Sequence, residues 1–150
     1  MAINPNTDFT SGAVLTAAQQ NRFPRGVMGY AEATANQNNF TTIITTLTST
    51  FTAVANRYYK ITYFERYLIG AGGATQVTLT LTNGATVIQE AMVTTSTTSG
   101  EAGTSMAIET FTAGSITINA KLTSTGGTSS TAGRAATSPA FLLIEDIGPA

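Results

Sequence analysis

The sequence predicts an all-β fold, an antiparallel β-sandwich of about eight strands. Thirty of its 150 residues are threonine, a β-branched residue that suits a pleated sheet. Only 10% of the residues are charged, so hydroxyl groups must supply much of the surface hydration. Apolar and polar residues alternate in short segments that are bounded by turn-forming residues. We therefore expect antiparallel sheets with a wet, threonine-rich outer side and an apolar inner side.

The clearest element is the stretch VTLTLTNGATVIQE at residues 77–90, which predicts a β-hairpin. Its apolar residues fall at every second position, so they share one side of a strand. Asn83 and Gly84 tolerate the positive φ angles of a type I′ turn, which favours a two-residue connection at this point. Such a turn would place Leu79 opposite Ile88 on the inner side of the hairpin.

The remaining strands follow from the same alternation between turn signals. We predict strands near 27–34, 40–53 (one bent strand or two), 57–69, 76–82, 86–95, 105–112, 115–123 and 139–147. In SITINAKLTS, residues 115–124, the apolar side chains at even positions are expected to face inward. The last strand, PAFLLIEDIG, is apolar on both sides, so it should lie centrally in a sheet or against another subunit. Many short strands at regular intervals predict a sandwich or barrel, of which the jelly roll is one form.

The first 26 residues differ in texture from the rest and are predicted to form an N-terminal arm, with the sandwich domain at 27–150. Thr16 and Gln19 have the spacing of a capping box, and Pro24 would stop the helix that it begins. A helix this short is marginal in isolation. The arm should therefore pack on its own domain or on a partner.

Composition excludes most catalytic and several binding functions. The formal charge of −1 and seven scattered basic residues predict no nucleic-acid partner, and the chain shows no apolar run of the ~20 residues that cross a membrane. Without histidine or cysteine there is no Ser-His-Asp triad, Cys-His pair or thiolate metal site. We expect no metal, no cofactor and no enzymatic activity, and interpret carboxylates such as Glu65 and Asp146 as solvated charges on strand faces.

Two polar segments, 96–104 and 124–138, are predicted to be loops at an exposed tip of the sandwich. Both are rich in glycine, serine and threonine, and the second is long for a compact domain. The tip residues singled out are Gly100, Glu101, Gly126, Gly127 and Arg134.

The segment RYYKITYFERY at 57–67 concentrates aromatic side chains in one strand. Because they fall on both sides of the strand, one core does not easily absorb them all. Tyrosine together with arginine is typical of subunit interfaces. We predict a subunit interface here; the alternative is that one side is core and the other ordinary surface. The predicted interface residues are Tyr58, Tyr59, Tyr63, Phe64 and Tyr67.

Three segments resemble small β-sandwich virion proteins of tailed bacteriophages, of the capsid-decoration and fibre-tip kinds. These segments are FTSGAVLTAAQQNRFPRGVMGYA at 9–31, FTAVANRYYKITYF at 51–64 and FLLIEDIGPA at 141–150. The resemblance implies a jelly roll like that of the C1q and tumour-necrosis-factor superfamily, assembled as a homotrimer. It also implies that aromatic residues line the trimer axis.

On this basis the chain is expected to be a trimeric capsid decoration protein on the outside of a capsid. Its partners would be two further copies of itself and the major capsid protein or another virion protein. The chain would contact that virion protein through Arg22, Phe23, Pro24 and Arg25. Repeated weak contacts about a symmetry axis add up to firm attachment. The alternative is a receptor-binding tip of a tail or head fibre that recognises a host surface glycan. A glycan-cleaving enzyme is a third, less supported interpretation.

Overall fold

The structure is a computed structural model that describes residues 12, 14, 16–72, 75–125 and 129–150. Most of these residues lie in β-strands, as the alternation predicts. The helix is α1 (Ala17–Gln20), and the strands are β1 (Gly26–Ala33), β2 (Gln37–Phe40), β3 (Ile44–Ala53), β4 (Arg57–Gly70), β5 (Thr75–Asn83), β6 (Thr86–Thr95), β7 (Glu101–Thr110), β8 (Gly114–Thr125), β9 (Ser130–Ala132) and β10 (Ala140–Pro149).

The strands form two antiparallel sheets. In the front sheet β10 lies between β1 and β4, and β7 pairs with the opposite side of β4. β9 pairs with residues 68–70 of β4 and with β2. The back sheet has the order β3-β8-β5-β6. The pairs β1 with β10, β3 with β8, β4 with β7 and β5 with β6 are nested along the chain, which confirms the predicted jelly roll.

The core lies between the two sheets and is built from every second residue of the central strands. On β8 the inward residues Ile118, Ala120 and Leu122 are fully buried, as predicted for this strand. Across from them, β4 contributes Tyr59 and Ile61. The period of two therefore assigns one side of each sheet to the core and leaves the other side outside.

The predicted loop at 124–138 contains a strand that the sequence did not reveal. β9 holds the Ser130 hydroxyl 2.9 Å from that of Ser124, in a buried contact. Three small residues are too few to show alternation, so this strand depends on its neighbours β4 and β2. The predicted segment 40–53 contains one strand, β3, which begins at Ile44; β2 precedes it and shares only Phe40 with the segment.

The β5–β6 hairpin is present, but its predicted register is wrong. β5 ends at Asn83 and the turn is formed by Gly84 and Ala85, with Gly84 at φ +58°. A β-bulge after Leu81 then shifts the pairing, so that Leu79 faces Ala91. A bulge adds one residue to one strand and so displaces every pair beyond it.

The capping box at the start of α1 is confirmed. The Gln19 amide donates to Thr16 Oγ1 at 3.2 Å, and the Thr16 amide donates to Gln19 Oε1 at 2.9 Å. Residues 1–11 of the predicted arm lie outside the described residues. No helix in the described part of the chain is long and apolar enough to cross a membrane.

Candidate functional site

The outer side of the front sheet carries many apolar side chains, which are exposed or half-buried. We call this surface the apolar face. Its position follows from alternation, because the neighbouring residues on each strand point into the core. Its apolar members are Val27 and Tyr30 on β1, Phe141 and Leu143 on β10, Tyr58 and Phe64 on β4, and Met106 and Ile108 on β7.

Strand register makes these residues one continuous surface. Tyr30 is paired with Leu143, Leu143 with Thr62, and Thr62 with Met106, which gives a row across four strands. The adjacent row contains the stacked rings of Phe64 and Phe141, whose centroids are 5.3 Å apart. Tyr30 extends this stack, with its ring centroid 6.5 Å from that of Phe141.

Several of these side chains are unusually exposed for their size. Val27 is 61% exposed, Tyr30 52%, Met106 53% and Ile108 57%. Single exposed apolar residues are common on proteins, but contiguous patches mark interaction sites. The composition also matches the centre of protein interfaces, where aromatic residues and methionine are enriched and charges depleted.

The few polar groups on the apolar face are mostly paired within it. Lys60 Nζ lies 3.4 Å from Glu145 Oε2. The Tyr30 hydroxyl donates to Glu32 Oε2 at 2.8 Å, and this bond raises the pKa of the Tyr30 phenol. Thr62 Oγ1 is buried among its neighbours and has no hydrogen-bond partner in the described chain.

The outer side of the back sheet is different. There, threonine hydroxyls pair across strands: Thr48 donates to Asn119 Oδ1 at 2.8 Å, and the Thr50 and Thr117 hydroxyls lie 2.9 Å apart. We call this surface the threonine face. The expected wet, threonine-rich side is therefore confirmed for the back sheet and wrong for the front sheet.

Four of the five residues of the predicted aromatic interface divide into two groups. Tyr58 and Phe64 lie half-buried on the apolar face, whereas Tyr59 and Tyr63 are 0% exposed and belong to the core. The prediction is wrong for Tyr59 and Tyr63, because alternation directs them inward. The core accommodates Tyr59 beside Phe51, with ring centroids 5.0 Å apart.

A buried polar network explains the inward position of Tyr63. Its hydroxyl donates to Glu65 Oε1 at 2.6 Å, and Arg134 Nε donates to Glu65 Oε2 at 3.1 Å. Burial raises the pKa of the Tyr63 phenol well above its usual value, and the Glu65 charge adds to the shift. Arg134 is 9% exposed and Glu65 0%, so neither the predicted exposed tip position nor the solvated carboxylate is correct. Each charge is buried because it has a partner.

A second buried ion pair fixes the end of the arm. Arg57 Nη2 donates to Asp146 Oδ1 at 2.7 Å, and the same guanidinium donates to the backbone oxygens of Asn21 and Phe23 at 2.6 Å each. Asp146 is 1% exposed, so its interpretation as a solvated charge is also wrong. The arm therefore packs on its own domain at residues 21–23.

The predicted anchoring residues lie near this ion pair, at one end of the sandwich. Arg22, Phe23, Pro24 and Arg25 are all exposed. Arg22 and Arg25 line a cleft of about 310 Å³, together with Asn21, Val54, Ala55, Asn56, Arg57 and Pro149. The side chains are accessible to a partner, as the anchoring hypothesis requires.

The opposite end carries the remaining predicted residues. Tyr67 is 37% exposed, and its ring lies against the backbone of Gly100 and Gly133. A Cβ at Gly100 would fall 2.1 Å from the ring, so this glycine is required for the contact and is half-buried rather than exposed. Glu101 is exposed, as predicted, but the predicted loop 96–104 is wrong for its last four residues, because β7 begins at Glu101. Gly126 and Gly127 lie outside the described residues.

No group of three or more His, Cys, Asp or Glu residues that could hold a metal ion occurs in the described ranges. The two buried carboxylates, Glu65 and Asp146, are each held by an arginine. What the apolar face can do is exclude water against a complementary apolar surface.

Sequence reasoning did not single out Tyr30, Met106, Ile108 or Leu143 as site residues. A usable signal existed in the last strand, whose two apolar sides favoured a central position or a subunit contact. β10 is indeed central in the front sheet. Assigning its outer side to the apolar face also requires the register with β1 and β7, which the sequence does not show.

No protein-family model and no curated protein matched the chain. Among solved structures, the chain is similar to Eiger TNF from S. frugiperda, with a TM-score of 0.48 and 10% identity over 83% of this chain and 94% of that chain. It is also similar to the CBM22-1 xylan-binding domain from Paenibacillus barcinonensis Xyn10C, with a TM-score of 0.37 and 11% identity over 81% of this chain and 88% of that chain. At these identities the likeness concerns the fold alone.

Proposed function

We propose that the protein is a structural module that assembles with copies of itself through the apolar face. The observation that carries this proposal is the contiguity of exposed Val27, Tyr30, Met106 and Ile108 around the stacked Phe64 and Phe141 rings. Covering this surface removes apolar area from water, at about 25 cal/mol per Å².

A second copy of the chain is the occupant that the charges favour. Lys60 and Glu145 compensate each other within one copy, which leaves the exposed Glu32 carboxylate, an acceptor from Tyr30, as a charge without an opposite charge beside it on this face, so repulsion between two apolar faces is small. A partner with a strongly charged surface would gain little from a face with so few unpaired charges. The threonine face remains hydrated on the outside of such an assembly.

The assembly we propose is a homotrimer, as the resemblance of three segments to phage virion proteins implies. A closed ring of identical subunits covers every apolar face, whereas an open arrangement leaves terminal faces uncovered and grows into a filament. A trimer also multiplies weak contacts with a larger scaffold.

The larger scaffold we propose is a viral capsid, which the trimer would decorate from outside. The residues proposed to contact it are Arg22, Phe23, Pro24 and Arg25, which are exposed beside the Arg57–Asp146 pair. Arg57 fixes this segment to the domain through the backbone oxygens of Asn21 and Phe23.

Sedimentation velocity over a range of concentrations tests the self-association. We expect the wild-type chain to sediment as an oligomer, and Tyr30→Asp and Ile108→Asp to sediment as folded monomers. Thr50→Asp is the matched control, since Thr50 is exposed on an edge strand of the threonine face. A monomeric wild type, or equal effects of the Ile108 and Thr50 variants, would contradict the proposal.

Binding to bare capsids tests the decoration role separately. We expect the wild type to bind capsids and the double variant Phe23→Ala/Arg25→Glu to remain oligomeric but lose binding. Arg66→Glu, a change at another exposed arginine, is the control and should still bind. Capsid binding that survives in the double variant would show that these residues are not the anchor.

A second candidate function, a receptor-binding tip that recognises a host surface glycan, is favoured by one observation. Tyr67 offers a partly exposed ring that is held by Gly100 and Gly133 at the loop end of the sandwich. Aromatic rings of this kind provide apolar contact together with a polar hydroxyl. Binding to host cells but not to capsids, lost in Tyr67→Ala, would favour this function over decoration.

A further inference from the structure

One ion pair lies within the apolar face. Glu145 and Lys60 are register partners on β10 and β4, the two central strands of the front sheet. The side chains are 31% and 40% exposed, respectively, and their charged atoms are 3.4 Å apart. Within the paired segments 57–64 and 141–149 they are the only charged side chains on the outer side.

The surroundings of this pair are apolar. Val27 lies opposite Glu145 on β1, and Ile108 lies opposite Lys60 on β7. These two side chains are 61% and 57% exposed. Any surface that covers them must also remove water from the pair between them.

In the isolated chain such a pair contributes little, because water solvates both charges. Once covered, the two charges lose that solvation and depend on each other. An intact pair then tolerates burial, whereas a single remaining charge does not. The pair also restricts docking, since arrangements that would separate the charges are disfavoured.

We propose that Lys60 and Glu145 enter the interface between copies as an intact ion pair and determine which arrangement of copies forms. This inference rests on the proposed self-association through the apolar face. It assigns the pair a role in specificity, while the surrounding apolar residues provide affinity. A polar or charged group in a mostly apolar interface has this effect in other assemblies, where it fixes register and oligomeric state.

The test compares the dissociation constant of the oligomer for single and double variants by sedimentation equilibrium. We expect Lys60→Met and Glu145→Leu each to weaken association by about tenfold or more, because each leaves one charge without its partner. The swap Lys60→Glu/Glu145→Lys should stay within about threefold of the wild type. The double apolar variant Lys60→Met/Glu145→Leu should associate at least as tightly as the wild type but as a mixture of oligomers.

Lys121→Met is the matched control for loss of one positive charge. Lys121 is half-buried on the threonine face, so its removal should leave association unchanged. Circular dichroism and thermal unfolding of each variant at low concentration check that the chain remains folded.

The outcomes separate this inference from the proposal beneath it. A monomeric wild type contradicts both. An oligomeric wild type that is dissociated by Ile108→Asp but unaffected by Lys60→Met and Glu145→Leu contradicts only the role of the ion pair. The role of the ion pair is also contradicted if the losses of association in Lys60→Met and Glu145→Leu add in the double apolar variant, because the two residues would then act independently.

Discussion

The two outer faces of the sandwich are built from the same kind of strand yet present opposite surfaces. On the threonine face, hydroxyls such as those of Thr50 and Thr117 bond across strands at 2.9 Å. On the apolar face, the rings of Phe64 and Phe141 stack with their centroids 5.3 Å apart. Alternation requires only that one side of each sheet meet the core. The residues on the outer side of each sheet are therefore not fixed by the fold and can reflect function. In this protein only the back sheet has a hydrated outer side.

The largest expected effect comes from introducing a positive charge at the centre of the apolar face. The same substitution at the centre of the threonine face is the comparison. Leu143 and Asn119 are both half-buried on central strands, one on the apolar face and one on the threonine face. We expect Leu143→Arg to cost several kcal/mol of association, since an unpaired charge would be buried between copies. Asn119→Arg should leave association unchanged, as measured by sedimentation equilibrium. Comparable losses in both variants would remove the distinction between the faces.

A second pair of substitutions compares a tyrosine on the inner side of the front sheet with a tyrosine on its outer side. Tyr63 faces inward and donates to Glu65, so Tyr63→Phe should lower the free energy of unfolding by about 1.5–3 kcal/mol. Because the pKa of the Tyr63 phenol is raised in the folded chain, the folded state retains a proton that the unfolded state loses near pH 10. This contribution to stability is present below about pH 10 and is lost as the pH rises further.

Denaturant unfolding between pH 8 and 11 measures this effect. The wild type should lose stability above about pH 10, and Tyr63→Phe should lose less over the same interval. Tyr30→Phe is the outward comparison: Glu32 raises the pKa of the Tyr30 phenol too, but that ring is exposed. If Tyr30→Phe reduced the loss of stability above pH 10 more than Tyr63→Phe does, the expected order would be contradicted.

The smallest expected effect comes from replacing one threonine by valine on each face. Thr50→Val removes a hydroxyl that is paired with Thr117, and should cost about 0.5–1.5 kcal/mol of unfolding free energy. Thr62→Val removes a buried hydroxyl without a partner in the described chain, and should be neutral or stabilising by about 1 kcal/mol. Thermal and denaturant unfolding of the two variants gives the sign directly. Destabilisation by Thr62→Val equal to that by Thr50→Val would contradict the structural account of Thr62.

Most of the fold could be predicted from the sequence because it depends on local alternation. The inward residues of β8 and the capping box at Thr16 are read from spacing within a few residues. The β5–β6 register could not be predicted, since a bulge after Leu81 leaves no mark in the pattern. β9 was missed because three small residues form a strand only where two neighbours hold them.

The site was harder to predict than the fold because it depends on contacts between distant parts of the chain. Glu65 and Arg134 are 69 positions apart, and only their meeting explains why both are buried. The aromatic segment indicated an interface, but alternation sends Tyr59 and Tyr63 to the core. The apolar face becomes visible only when β1, β10, β4 and β7 are placed side by side.

The central claim, that the apolar face is covered by another copy, can be tested with two methionines. Met106 is 53% exposed on the apolar face, and Met92 is 61% exposed on the outer side of the back sheet, opposite Thr78. Peroxide oxidation of each, followed by mass spectrometry of peptides, reports its access to solvent. Raising the protein concentration should protect Met106 while Met92 continues to oxidise at its dilute rate. Equal oxidation of both methionines at every concentration would contradict the account.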